Sequence, residues 1–347
     1  MSLLLLATAS AAALISASAN ALSCRDEAGD PVDSWQALKF NKGTQYLYAD
    51  TNQPIPTLST YNMNDTSVGA LTHTTKQLWE ATTTIYIAYN DEPPTANGGQ
   101  PEMTPGHTKG YAAAADDGSA FLVIHSIPKF PTTPSNSSEY IGMEPNAWMY
   151  GQSAVCLTLN ATTLASILEQ MQLNAPQVYD WRATNSAEAA VAAAVAALGT
   201  GVINTAPICQ STEFETLGGA AFTYFAKSKQ WNNELYSECV ASYYKVPMLV
   251  ESWIRGSATG PSCSNADKVL DVQNLNYDGF ALSEYNDHSK WSVGSDQDSA
   301  IVCIGDINRM TTQFGRGGGT ACIESLPLAE FLRASITSTN SCAMLIK

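Results

Sequence analysis

Gly106-His107-Thr108-Lys109-Gly110 and Asp287-His288-Ser289-Lys290-Trp291 repeat one pattern in a chain of 347 residues that holds only four histidines. The first His-x-Lys is followed by the apolar run Phe121-Leu122-Val123-Ile124 and then His125-Ser126. The second is followed by Ala300-Ile301-Val302-Cys303-Ile304 and then Gly305-Asp306-Ile307-Asn308. His107 precedes His125 by 18 residues and His288 precedes Asn308 by 20, so in each copy a polar group leaves an apolar strand at a similar distance. The two motifs stand 181 residues apart, close to half the chain. A duplicated and fused half-domain would give that separation, with one active site assembled from two related halves.

On a strand, residues i and i+2 point to the same face, so His-x-Lys presents an imidazole beside an ammonium. Two such pairs facing one another suit a phosphodiester. The lysines hold the non-bridging oxygens and neutralise charge that develops in the transition state. One neutral histidine attacks phosphorus, and the other, protonated, gives its proton to the leaving oxygen. No dense carboxylate cluster such as D-x-D accompanies the histidines, which argues against a two-metal site and for no metal at all. Asp287 and Asp306 flank the second motif and can orient an imidazole or a lysine. His73 is isolated and reads as an ordinary structural histidine. Gly317-Gly318-Gly319 reads as a flexible loop whose N–H groups could face a phosphate; it lacks the Gly-Lys-Ser/Thr of a nucleotide loop. Trp148 and Trp291 lie beside these stretches and read as core more readily than as substrate contacts.

Around the motifs, strands are expected at Ala37 to Phe40, Gln45 to Tyr48, Thr84 to Asn90, Phe121 to His125, Ser153 to Leu159, Phe222 to Lys227 and Ala300 to Ile304. Helices are expected to begin near Lys76 to Thr82 and to span Thr162 to Leu173, Ala187 to Leu198, Trp231 to Tyr243 and Leu328 to Ile336. Val246 to Arg255 fits strand and helix equally. Elements of both kinds alternate, so the class is α/β.

Residues 1–21 read as a secretory signal, with an apolar core from Leu3 to Ile15 and a small-x-small site at Ala19-Asn20-Ala21, though without the usual positive start. No later run is long and apolar enough to span a membrane. Eight cysteines, at 24, 156, 209, 239, 263, 303, 322 and 342, are even in number and hold no C-x-x-C, favouring bridges over zinc. Asn64, Asn136 and Asn160 begin N-glycosylation sequons, for which an unmodified surface asparagine is the plain alternative. The net charge is −15 with a pI near 4.5, so at neutral pH the surface repels nucleic acid and anionic membranes. In an acidic compartment that repulsion largely vanishes.

Several ordered stretches together resemble the deoxyribonuclease II family, a branch of the phospholipase-D-like superfamily. They are Leu22-Ser23-Cys24-Arg25 with Pro31-Val32-Asp33, the first motif, and His125 to Pro131. Tyr150-Gly151-Gln152-Ser153 with Cys156, the second motif, Gly305 to Met310, and Arg316 to Thr320 with Cys322 complete them. The resemblance implies an α/β phospholipase-D-like pseudo-dimer, residues 22–175 and 176–347 forming halves with the site at their interface. It implies a lysosomal or secreted endonuclease that hydrolyses double-stranded DNA at acidic pH with little sequence preference. It works without metal or other cofactor, through a phosphohistidine, and leaves 3′-phosphate ends. His107, Lys109, His288 and Lys290 take the catalytic positions, with His107 favoured as the nucleophile. His125, Asp306 and Asn308 support them; Asp306 stands where the superfamily has a serine. The family's bridges imply Cys24–Cys156, Cys263–Cys342 and Cys303–Cys322, leaving Cys209 and Cys239 as a further pair. Another diesterase on the same fold, such as a phospholipase, and a non-catalytic secreted binding protein remain as alternatives. Oligomeric state is not legible.

Overall fold

The computed structural model describes residues 21–98, 106–183, 186–263 and 268–342. The segment read as a signal lies outside the described residues but for Ala21. The chain is mixed α/β: two large sheets with few helices.

The first sheet runs in space Val178–Ala183, Thr83–Asn90, Lys109–Ala115, Ser119–His125, Gln152–Asn160, Ser34–Lys39, Tyr46–Asp50 and Thr57–Leu58, antiparallel throughout. It therefore reaches past residue 175. The second runs Val269–Tyr277, Met248–Ser252, Lys290–Gly294, Ile301–Gly305, Gly318–Glu324, Ala221–Lys227 and Cys209–Glu215, with Phe280–Ser283 and Ile336–Thr339 on Val269–Tyr277. Only Met248–Ser252 and Val269–Tyr277 pair in parallel among these strands. Six strands correspond one to one in the two sheets; beyond them Val178–Ala183 runs antiparallel to its neighbour, whereas Val269–Tyr277 runs parallel to its own. Gly110 faces Ile124 across the first hairpin, and Trp291 faces Ile304 across the second. The register of the two motif strands is thus the same.

Both faces of the central strands are covered, so their sequences read as continuous apolar runs. Ile87, Tyr89, Leu122, Ile124, Val155 and Leu157 of the first sheet share one core with Trp291, Val293, Val302 and Ile304 of the second. Alternate residues point outward. Tyr86, Ala88, Tyr111, Phe121 and Val123 pack under Leu71, Ile127 and Phe130, and Val250 and Cys303 pack under Tyr236 and Val240.

The expected strands form with small shifts at their ends, and Met248–Ser252 resolves the ambiguous segment as a strand. Helices Ala161–Met171, Ala189–Gly199 and Leu326–Ser335 fall where periodicity puts them; Asn160 caps the first by accepting from the Thr163 N–H at 2.8 Å. Near Lys76 a helix ends rather than begins: Ala70–Lys76 passes into the turn Gln77–Trp79. The helix expected at Trp231 to Tyr243 is a π-helical turn, Tyr236–Ala241, continued by Ser242–Tyr244. Glu234 caps its start, accepting from the N–H groups of Tyr236 and Ser237 at 2.7 and 2.6 Å. Gly318 and Gly319 lie in a strand, where the Ile307 side chain beside Gly318 and the Phe225 carbonyl beside Gly319 leave no room for a side chain. Four disulfides join Cys24–Cys156, Cys209–Cys239, Cys263–Cys342 and Cys303–Cys322, the last bridging residues directly opposite on neighbouring strands.

Candidate active site

Lys109 and Lys290 are the first residues of their strands, and His107 and His288 sit two positions earlier, just before the ladder begins, His107 at a bend. All four line one cavity of about 240 Å³, together with Glu92, Tyr150, Trp253 and Asn308. A larger hollow of about 650 Å³ between Asn160 and Leu217 is lined by none of them.

The backbone of each motif is held by the opposite half. The His107 N–H donates to the Gly317 carbonyl at 2.8 Å, and the His288 N–H to the Gly151 carbonyl at 2.9 Å. The Lys290 N–H donates to Ser153 Oγ at 3.0 Å. His107 Nδ1 hydrogen-bonds the Asp306 carbonyl, which fixes the proton there and leaves the Nε2 lone pair open.

The side-chain surroundings differ between the halves. Asp91 lies beside the first motif: it bonds Lys109 Nζ, accepts from Arg316 Nη2 at 3.1 Å and stands 3.8 Å from His107 Nε2. Arg316 also donates to the Gly106 carbonyl at 3.1 Å. Burial raises the Asp91 carboxyl, but Lys109, His107 and Arg316 around it pull it below the ordinary carboxylate range. His288 instead stacks on Tyr150, with centroids 4.0 Å apart and rings 15° from parallel, and meets Trp253 at 4.5 Å. Its Nε2 is buried without a partner among the described residues, as is Asn308 Oδ1. Such groups need a ligand or water to satisfy them.

Burial, then the neighbouring lysines, lowers both histidines below the ordinary imidazole value. Burial and Lys109 lower Lys290 to about 7. Burial raises Asp306 to about 7 despite the Gly319 N–H that its Oδ1 accepts at 2.9 Å. Asp287 is buried behind His288 and accepts from the Ser289 N–H at 2.8 Å.

His125 does not line the cavity. It is fully buried against Phe130 and Tyr111, and its Nδ1 accepts from the Ile127 N–H at 3.1 Å. In register, His125 corresponds to Gly305, and Ser126 corresponds to Asp306. Ser126 pairs with Ser153 as Asp306 pairs with Gly319. The similar spacings of His125 and Asn308 are therefore not a structural equivalence. His73 lies on Ala70–Lys76 against Gly29, outside the cavity. Trp291 is core, and Trp253 rather than Trp148 or Trp291 reaches the site. Asn136 and Asn160 are exposed and Asn64 half-buried. Among the described residues no group of three or more His, Cys, Asp or Glu is gathered closely enough to hold a metal ion.

Asp91, Tyr150 and Trp253 carry no local signal for these roles. The position of Asp91 after the strand Thr83–Asn90 becomes informative only once Asn90 is paired with Lys109.

A family model described as deoxyribonuclease II matches residues 23–342. Deoxyribonuclease-2 of Caenorhabditis elegans is 30% identical, over 93% of this chain and 94% of that protein. Deoxyribonuclease-2-alpha of Mus musculus is 32% identical, over 90% and 91%. A putative deoxyribonuclease-2 of Burkholderia pseudomallei is 34% identical, over 87% and 89%. The crystal structure of the yeast tyrosyl-DNA phosphodiesterase overlaps 64% of this chain and 67% of that one with 10% identity and a TM-score of 0.30, too slight a likeness to bear on the fold. With its match running from Ser23, just before the first described strand, to Cys342, the last cysteine, the chain belongs to the deoxyribonuclease II family.

Proposed function

We propose that this chain is an endonuclease that hydrolyses the phosphodiester bonds of double-stranded DNA without a metal ion, through a phosphohistidine, leaving 3′-phosphate ends. The observation that carries it is the meeting of His107, Lys109, His288 and Lys290 at one cavity, two from each half of the chain. Family membership supplies the substrate. His107 Nε2 attacks phosphorus and forms the P–N bond as the P–O5′ bond breaks. His288, lowered by burial and the lysines, regains its proton beside the negative charge of the bound phosphodiester and delivers it to the departing 5′ oxygen. Water then attacks phosphorus, gives its proton to His288 and breaks the P–N bond, releasing the 3′-phosphate. Lys109 and Lys290 hold the non-bridging oxygens, and the buried setting strengthens that attraction. Asn308 adds a hydrogen-bonding group on the cavity wall.

Four disulfides suit an oxidising compartment. We place the mature protein in the lysosome or outside the cell, with residues 1–21 removed and sugars on Asn64, Asn136 and Asn160. Plasmid DNA incubated with the protein in EDTA at pH 5 tests the chemistry. Nicked and linear products with 3′-phosphate ends are expected, with activity lost at least ~1000-fold in folded His107→Ala and His288→Ala variants. Cleavage that requires added magnesium, or that survives either substitution, overturns the mechanism.

A further inference from the structure

Lys39 and Lys227 are the last residues of Ser34–Lys39 and Ala221–Lys227, which correspond in the two sheets. Lys39 faces Gln152 and Lys227 faces Gly318, so the two lysines occupy the same place in their halves. Among the described residues, neither side chain is engaged by a carboxylate at bonding distance. Lys39 Nζ donates to the carbonyls of Phe40, Gly43 and Trp148 at 2.7, 2.9 and 3.3 Å. Lys227 Nζ donates to the carbonyls of Gln313, Phe314 and Arg316 at 3.2, 2.8 and 2.7 Å. Trp148 and Phe314 each stand three residues before the glycine that receives a motif histidine, Gly151 or Gly317.

The loops so gathered carry the groups that hold the opposite motif. The Lys39 loop brings Tyr150 onto the His288 ring and Gly151 under its N–H. The Lys227 loop brings Arg316 to Asp91 and Gly317 under the His107 N–H. A buried ammonium spends its three donors on loop carbonyls outside the strand ladders, two of which (Trp148 and Gln313) also accept a backbone N–H, tying each loop at one point. Burial lowers both lysines to about 8 from the ordinary lysine value, with Asp287 opposing that shift at Lys39 and Glu234 at Lys227. A buried charge kept where an apolar side chain would fold more readily calls for a reason beyond stability.

We propose that Lys39 and Lys227 are a pair of crossed positioning residues: Lys39 sets His288 and Lys227 sets His107, each through the loop that ends at Gly151 or Gly317. The link to catalysis rests on the nuclease function proposed above, whereas the positioning itself does not. Lys39→Met and Lys227→Met keep the length of the stem and remove the donors. Native-state amide exchange, followed residue by residue on the full chain, reads the effect directly. Lys39→Met is expected to speed exchange at the His288 amide about 10-fold or more and to leave His107 unchanged; Lys227→Met does the reverse. The kcat for DNA falls ~10- to 100-fold at near-constant KM in each, since a displaced reacting group costs the transition state more than binding. Lys39→Gln and Lys227→Gln, which retain two donors, recover part of that loss. Uncrossed or absent changes in exchange overturn the proposal, as does a Met variant with the wild-type kcat. Met variants that fail to fold while the Gln variants keep both wild-type exchange and wild-type kcat also overturn it. A wild-type protein inactive on DNA would instead refute the nuclease mechanism and leave the exchange pattern to decide the positioning.

Discussion

His288 donates its backbone N–H to the carbonyl of Gly151 at 2.9 Å, and the other half repeats the contact between His107 and Gly317 at 2.8 Å. Each motif histidine is thus seated on the strand start of the half to which it does not belong. Neither glycine has room for a side chain. A Cβ on Gly151 would lie 2.3 Å from Asp287 Oδ1, and one on Gly317 would lie 2.2 Å from the Asn174 carbonyl oxygen. Gly151→Ala and Gly317→Ala should therefore lower stability by ~1–3 kcal/mol through forced backbone shifts. They should also lower kcat by roughly 100-fold through the displaced imidazole. Thermal melts and steady-state kinetics on the two variants check this; wild-type kcat in a folded Gly151→Ala protein would contradict it.

Tyr150 and Trp253 orient the His288 ring by contact rather than by hydrogen bonds. An aromatic pair contributes about 1 kcal/mol beyond its buried area, so Tyr150→Ala should reduce kcat about 3- to 10-fold. Tyr150→Phe keeps the ring and should stay within a factor of about two of wild type by the same reasoning. A Phe variant as poor as the Ala variant would assign the role to the hydroxyl.

The two His-x-Lys motifs were legible because histidine is scarce here and because i, i+2 spacing has one meaning next to a strand. Helices such as Ala161–Met171 were legible from composition and period. The partners of the motifs were not. Asp91, Tyr150, Lys39 and Lys227 act through contacts between segments far apart in the chain, and the strand order that joins them has no local signature. His125 misled because its spacing resembled that of Asn308, while hairpin register sets it opposite Lys109 and turns it into the aromatic core. The Gly317 to Gly319 run misled in the other direction. Gly317 and Gly319 meet a need for close backbone approach and Gly318 makes room for the Ile307 side chain, so the run does not serve flexibility.

Lys290 should set the alkaline limit of activity. Burial and Lys109 hold it near 7, so it is an ammonium in acid and loses its proton as pH rises through about 7. In the proposed mechanism its charge holds the phosphate, so kcat in EDTA should be full near pH 5 and fall above about 7. Lys290→Arg keeps a cation at every accessible pH and should extend activity to higher pH, even if its peak rate is lower through imperfect fit. A pH–rate profile whose alkaline limb is the same in both proteins would move that limb to another group.

Asp306 should make the fold more stable in acid than at neutrality. Its carboxyl is raised to about 7 by burial, against an unfolded value near 3.8. A raised folded pKa means that the native state binds the proton more tightly. Stability from this group is therefore full below about pH 4 and is lost as pH rises through about 7. Over that window the loss should be on the order of 1–3 kcal/mol, reduced from the full linkage value because the neighbouring lysines relax with it. Asp306→Asn keeps an oxygen for the Gly319 N–H and holds no proton to lose. Its melting temperature should fall less than that of wild type between pH 4.5 and pH 7.5, and the two curves should converge in acid. Parallel curves across that range would show that Asp306 is already ionised in the folded protein at pH 4.5.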